Sequence, residues 1–104
     1  MNKPVLTEED KTRIIASVYS NPKKLIIATQ IHKLKESSAD ELAGITGIKS
    51  NRVTEYLKEM HLNGVLTSRR ESYFVYYSLT DFGKKLVTLF NWSIWAPGNS
   101  AAIL

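Results

Sequence analysis

The stretch from Ala39 to Asn63 constrains the fold of this 104-residue chain more than any other. Apolar residues recur there at helical spacing on both sides of Gly47, and Ala43 precedes that glycine by four positions. Two helices that cross at a sharp angle need a small residue where they touch, and the turn between them needs a residue that tolerates positive φ. Because Ala43 and Gly47 meet these needs, the stretch predicts a helix-turn-helix.

The second helix of this motif is predicted to carry one apolar stripe. Its members follow the i, i+3, i+4, i+7 spacing of a helix face that packs on a core: Val53, Tyr56, Leu57 and Met60. Most of the apolar pattern therefore serves packing. The face that remains exposed, from Ser50 to Lys58, is the part of the helix that can contact another molecule.

Capping residues and a change of periodicity define the other elements. Thr7 and Asn21 are suited to helix N-caps, and Pro22 fits the first position of a helix. After Gly64 the pattern becomes that of strands, and Thr80 caps a last helix. The sequence predicts a mainly α fold with a small β-hairpin, in the order α-α-α-α-β-β-α. Helices are expected near residues 7–20, 22–35 and 39–45, followed after the turn at Gly47 by a fourth helix that ends near residue 63. Strands are expected at 65–70 and 73–79, with the hairpin tip at 70–72. A last helix is expected at 81–94, and a loose tail at 96–104.

Length and composition exclude several protein classes and several kinds of functional site. The length suffices for a single domain over 1–104. The chain has no cysteine, which excludes disulfides, thiolate metal sites and cysteine nucleophiles. No apolar run reaches the roughly 18 to 20 residues that span a bilayer, and the N-terminus lacks a signal peptide's apolar core, so a cytoplasmic location is expected. His32 and His61 lie far apart without carboxylate partners; no metal, cofactor or catalysis is expected.

The residues from Ala39 to Met60, with the hairpin that follows, resemble the winged-helix transcriptional regulators of the ArsR and MarR families. Residues 64–70 and 76–84 resemble their wing and the leucine-threonine-x-x-glycine entry to a last helix, and residues 21–25 resemble the entry to the ArsR second helix. The likeness covers about residues 20–90. It implies a winged helix-turn-helix fold, a recognition helix in the major groove, a wing near the minor groove and a homodimer on a two-fold DNA site.

One departure from the ArsR pattern matters for function. ArsR metal sensors carry cysteines in the helix before the turn, whereas this chain has Asp40, Glu41, Leu42 and Ala43 there. Thiolate sensing is therefore excluded, and whether any small-molecule effector acts on the chain stays open.

The resemblance also implies which residues face DNA: those at the start of the recognition helix and on the wing. Arg52 could pair with guanine and Asn51 with adenine, while Lys58 could contact the backbone. The same charges could instead be solvated. The two adjacent arginines on the hairpin could serve simply to protect a strand edge from pairing with another chain. The full set of predicted DNA contacts is Ser50, Asn51, Arg52, Thr54, Glu55, Lys58, Arg69, Arg70 and Tyr73.

The last helix carries more apolar surface than a chain of this length needs. These residues either fold back on the core or pack against a second subunit, and we favour a dimer formed by the helices near 7–20 and 81–95. The predicted interface residues are Ile14, Val18, Leu89, Phe90, Trp92 and Trp95.

Three hypotheses for function follow. The first is a sequence-specific regulator that binds double-stranded DNA, most simply a dimeric repressor. The second is an architectural protein that coats DNA with little specificity, which the formal charge of +4 would suit. Glu55 and Glu59 among the basic residues argue mildly against it. The third is a winged-helix module that contacts proteins.

Overall fold

The structure, a computed structural model, describes residues 6–95 and the side chains of residues 6–89. The described chain confirms the predicted order of four helices, a hairpin and a final helix, and adds one short strand. The elements are α1 (Glu8–Tyr19), α2 (Pro22–Leu34), β1 (Ser37–Ser38), α3 (Ala39–Thr46), α4 (Ser50–Leu62), β2 (Leu66–Glu71), β3 (Phe74–Leu79) and α5 (Asp81–Trp95).

Capping by side chains explains where the first three helices begin. Thr7 Oγ1 accepts the N–H of Asp10 at 3.0 Å, and the Asp10 carboxylate accepts the N–H of Thr7 at 3.2 Å. Ser38 and Glu41 form the same reciprocal pair at the start of α3, at 3.3 and 3.0 Å. Asn21 caps α2 through its side-chain oxygen. These bonds satisfy N–H groups that a helix leaves unpaired at its first turn.

Strand β1 joins the hairpin to form a three-stranded antiparallel sheet in the order β1-β3-β2. Ser37 pairs with Tyr77 and Ser38 with Tyr76, and both serines are buried. The sequence contains no sign of this strand, because two serines after a helix show no strand pattern. The nearby edge of β3 provides the pairing.

The tip of the hairpin differs in position from the sequence prediction. Strands β2 and β3 pair from Leu66 opposite Leu79 to Glu71 opposite Phe74. The predicted tip at 70–72 is therefore wrong, and the loop consists of Ser72 and Tyr73. Ser72 has φ 57°, as two-residue hairpin loops often require. The tip of the wing thus lies later in the chain than the sequence indicates.

The core lies where α2, α4 and α5 meet the sheet. The stripe predicted on α4 is confirmed, since three of its members are buried and Tyr56 is half-buried. Fourteen apolar residues are buried among those described: Ile14, Val18, Ile27, Ala28, Ile31, Leu42, Val53, Leu57, Met60, Val65, Leu66, Leu79, Leu86 and Val87. Burial of the α4 stripe sets the rotation of that helix, and so decides which of its residues face outward.

The turn between α3 and α4 has the predicted geometry. Gly47 has φ 76°, and its N–H donates to the carbonyl of Ala43 at 3.0 Å. Gly44, one turn earlier, lies within α3, and a Cβ added there would have no heavy atom within 4 Å. The two glycines therefore differ in conformation although neither is crowded.

We expect alanine at these two glycines to change the free energy of unfolding in opposite directions. Gly47→Ala should destabilise the chain by about 1 kcal/mol, because an L residue is strained at this φ. Gly44→Ala should stabilise it by about 0.5–1 kcal/mol, because alanine is the better helix former. Urea denaturation of both variants measures the difference, and changes of the same sign would contradict the assignment.

The wing connects to α5 through a junction at Thr80. Its Oγ1 lies 2.5 Å from the carbonyl oxygen of Gly64 and 3.1 Å from that of Val65, and it accepts the N–H of Gly83 at 3.0 Å. The N–H of Thr80 donates to the same Val65 oxygen at 3.1 Å. A Cβ on Gly83 would lie 2.1 Å from that oxygen. The leucine-threonine-x-x-glycine motif thus places a glycine, which has no Cβ, where α5 lies against the backbone carbonyl of Val65.

Candidate nucleic-acid interface

Helix α4 presents a polar face opposite its buried stripe. Of the residues predicted to contact DNA on this helix, five are exposed and one, Thr54, is half-buried. The exposed five are Ser50, Asn51, Arg52, Glu55 and Lys58. The structure therefore brings the predicted residues together on one surface of a 13-residue helix.

The first turn of α4 has no side-chain cap. Lys49 occupies the N-cap position, and Val53 is the first residue whose N–H bonds within the helix, to the carbonyl of Lys49 at 3.0 Å. Among the described residues, nothing accepts from the N–H groups of Ser50, Asn51 and Arg52. Free N–H groups and the helix dipole both favour an anion at this end.

Arg52 has only a weak partner inside the chain. Its Nη1 lies 3.9 Å from Oε2 of Glu55, and both side chains are more than half exposed. An exposed pair at this distance contributes little to stability and does not hold the guanidinium in place. The arginine therefore keeps its donors available for an external acceptor.

The hydroxyl of Thr54 is already bonded within α4. Its Oγ1 donates to the carbonyl of Ser50 at 3.0 Å, one turn earlier in the helix. A hydroxyl has a single proton to donate. Thr54 would have to give up this bond to donate to a phosphate.

Arg69 forms hydrogen bonds and ion pairs within its own chain. Its Nε and Nη2 donate to the two carboxylate oxygens of Glu36 at 2.9 and 2.5 Å, and its Nη1 donates to Glu71 at 2.9 Å. The guanidinium also lies 4.9 Å from the ring centroid of Tyr76. Three of the five N–H donors are therefore used within the chain. The bonds raise the pKa of Arg69 and lower that of Glu36 below its ordinary value.

The unengaged wing residues are Arg70 and Tyr73. Side chains alternate along a strand, so Arg70 faces away from Arg69, and it has no ion pair among the described residues. Tyr73 lies at the loop and is 92% exposed. The prediction that the wing contacts DNA therefore depends on these two residues more than on Arg69.

We expect Glu36→Gln to loosen the wing, because the neutral amide cannot form the charged pair with Arg69. Amide hydrogen exchange of residues 67–71 at pH 7 should show lower protection factors than in the unaltered chain. The lowered pKa of Glu36 means that the pair stabilises the fold above the ordinary value of 4.5, and that this stabilisation is lost as the pH falls through the folded value. The difference between the two proteins should therefore shrink in acid. Glu9→Gln, at an exposed position in the first turn of α1, is the control. Equal protection of the Glu36→Gln variant and the unaltered chain at pH 7 would contradict the role of the pair.

Two predicted dimer residues belong to the core of their own chain. Ile14 is 6% exposed and Val18 is 2% exposed, so neither side chain is available to a second subunit. Leu89 is exposed on α5. Phe90, Trp92 and Trp95 lie in the last turns of α5, whose side chains are outside the described part of the structure, as is the predicted loose tail at 96–104.

A buried lysine that the sequence does not reveal contacts α4 from behind. Lys24 has only 6% of its side chain exposed; it pairs with Glu59 and donates to Ser17 Oγ at 3.1 Å. Burial lowers the pKa of this ammonium group, and the nearby Tyr56 opposes the shift. Lys24 connects α1, α2 and α4, and so helps to set the position of α4. Its sequence neighbour Lys23 is exposed, so no local signal separates the two.

No helix within residues 6–95 is long and apolar enough to cross a lipid bilayer. Over the same residues, no three histidine, aspartate or glutamate side chains are grouped as metal ligands would be.

Comparison with sequences of known proteins identifies one curated relative of interest. The HTH-type transcriptional regulator YgaV of Escherichia coli is 27% identical over 70 residues, which make up 67% of this chain and 71% of YgaV. No protein-family model matches the chain.

Comparison with solved structures gives closely similar folds. The transcriptional repressor BigR from Xylella fastidiosa has a TM-score of 0.71 at 22% identity, covering 85% of this chain and 89% of BigR. A homodimeric winged helix-turn-helix DNA-binding domain from Mycobacterium bovis, described as a possible ArsR-family regulator, has a TM-score of 0.73 at 17% identity, covering 93% and 94%. The chain has the winged helix-turn-helix fold, and its resemblance to ArsR-type regulators is confirmed.

Proposed function

We propose that this chain is a sequence-specific regulator of transcription that binds double-stranded DNA as a dimer and acts as a repressor. The observation that carries the proposal is the exposed polar face of α4, which the burial of the opposite stripe turns outward and which lies beside a two-stranded wing. A helix of this kind fits the major groove, which is about 12 Å wide.

Each exposed residue then has a definite role. Arg52 donates to O6 and N7 of a guanine, and Asn51 pairs with N6 and N7 of an adenine. Ser50 and Lys58 contact phosphates, which position the helix without reading sequence. Glu55 lies beside Arg52 and limits binding where its carboxylate meets a phosphate. On the wing, Arg70 and Tyr73 reach the neighbouring groove.

Relatives support a regulator and a dimer. YgaV is named as a transcriptional regulator, BigR as a transcriptional repressor, and the Mycobacterium bovis domain as homodimeric. We place the dimer contact on the α5 surface that includes Leu89, together with the apolar residues predicted beyond it. Two recognition helices would then read half-sites about 10 base pairs apart. A cytoplasmic location is consistent with this role and stays a prediction.

Selection of bound sequences from a random duplex pool tests the proposal. We expect enrichment of a two-fold symmetric sequence, and gel shifts in which that duplex survives excess random competitor at about 150 mM salt. Binding to every duplex with equal affinity and a steep salt dependence would instead indicate an architectural protein. No binding to any duplex would indicate a module for protein contacts.

A further inference from the structure

A groove separates the start of α2 from the turn of the helix-turn-helix, and we call it the α2 groove. Its volume is about 630 Å³, and its walls are Lys23 and Ile26 on one side and the segment from Thr46 to Lys49, with Arg52, on the other. Three basic side chains line it, and no acidic one is among its lining residues.

The lysines of the α2 groove are exposed and unpaired. Within the described residues, neither the Lys23 nor the Lys49 ammonium group has a hydrogen bond or an ion pair, and both side chains reach solvent. Lys24, next in sequence to Lys23, is by contrast buried against Glu59. Lys23 therefore has no structural partner that would explain its charge.

Like charges around one concavity raise its positive potential and so favour an anion there. The α2 groove is continuous with Arg52 in the first turn of α4, which the proposed function places at the DNA surface. Ile26, 46% exposed, adds an apolar wall of the kind that deoxyribose carbons can contact. A lysine ammonium suits a single phosphate as a compact point charge.

We propose that the α2 groove holds a phosphate of the DNA backbone beside the base pairs that α4 reads, and that Lys23 and Lys49 donate to it. This inference rests on the proposed function and extends the DNA-binding surface to α2, an element outside the helix-turn-helix. Lys23 then contributes affinity without sequence preference, because phosphates are the same at every base pair.

Lys23→Ala tests the inference, with Lys33→Ala as a matched control. Lys33 is exposed on the same helix and does not line the groove. Dissociation constants are measured for the selected duplex and for a random duplex over a range of salt. We expect Lys23→Ala to weaken both about three- to tenfold and to reduce the slope of log K against log salt by about one. Lys33→Ala should change neither.

The outcomes separate this inference from the proposed function. If the unaltered chain binds the selected duplex and Lys23→Ala matches Lys33→Ala, only the phosphate contact is wrong. If the unaltered chain binds no duplex, both proposals are wrong. A loss confined to the selected duplex would make Lys23 a base contact and also overturn the inference. We expect a titration with inorganic phosphate alone to show no binding at millimolar concentrations. Phosphate binding in the α2 groove, with no effect of Lys23→Ala on DNA binding, would assign the groove to a free anion.

Discussion

Replacing Gly83 with alanine should destabilise the chain by about 3 kcal/mol or more, a large part of the roughly 5–15 kcal/mol that keeps a domain folded. The added Cβ would lie 2.1 Å from the carbonyl oxygen of Val65. That oxygen cannot move away cheaply, because it accepts the N–H of Thr80 at 3.1 Å and lies 3.1 Å from the Thr80 hydroxyl. The two nearest atoms belong to the backbone of Val65, so the clash cannot be relieved by moving the end of a flexible side chain.

Urea denaturation followed by circular dichroism measures this effect. Gly44→Ala is the control, since it makes the same chemical change within a helix where a Cβ meets nothing. We expect Gly83→Ala to lower the unfolding midpoint sharply, or to leave too little folded protein for a transition, while Gly44→Ala folds normally. An unchanged midpoint for Gly83→Ala would contradict the close approach between α5 and Val65, in the segment that joins α4 to β2.

Arg52→Ala should cost about 1–3 kcal/mol in binding to the selected duplex, which is a loss of roughly 5- to 150-fold. The guanidinium is exposed, and its 3.9 Å contact with Glu55 does not compete strongly for its donors. Removing a bidentate contact with guanine should also relax the preference at one base position. Selection from a random duplex pool with the variant measures both effects.

Arg52→Lys separates base reading from charge. Lysine keeps the positive charge but lacks the planar fork that matches guanine. We therefore expect Arg52→Lys to lose most of the preference at that base while binding random duplex nearly as well as the unaltered chain. Equal weakening of selected and random duplex by Arg52→Ala would instead assign the residue to a phosphate.

Local features of the sequence predict most of the helical fold. The stripe on α4, the N-caps Thr7 and Asn21 and the turn at Gly47 each depend on residues within about one helical turn of each other, and the structure confirms them. The exposed face of α4 follows directly, because burial of one stripe leaves the opposite face outside. The sequence alone is therefore enough to predict the candidate base contacts on α4.

Features that depend on contacts between distant parts of the chain cannot be predicted from such local patterns. Strand β1 exists because β3 offers it an edge, and Arg69 meets a carboxylate 33 positions away. Ile14 and Val18 show a further limit: periodicity identifies an apolar face but not whether that face meets its own core or a second subunit. The α2 groove likewise joins residues of α2 to residues from the end of α3 and the start of α4, which lie about 20 or more positions later in the chain.

The bond between Arg69 and Glu36 affects how the chain would distinguish DNA shapes. Glu36 adjoins β1, and β1 leads directly into α3, so this bond joins the wing to the start of the helix-turn-helix in addition to the pairing of β1 with β3. On the proposed function, these two connections restrict the movement of the wing relative to the helix that enters the major groove. On the proposed function, duplexes must adapt their groove width to the protein, and sequences whose minor groove narrows at low energetic cost gain affinity at positions that no side chain touches.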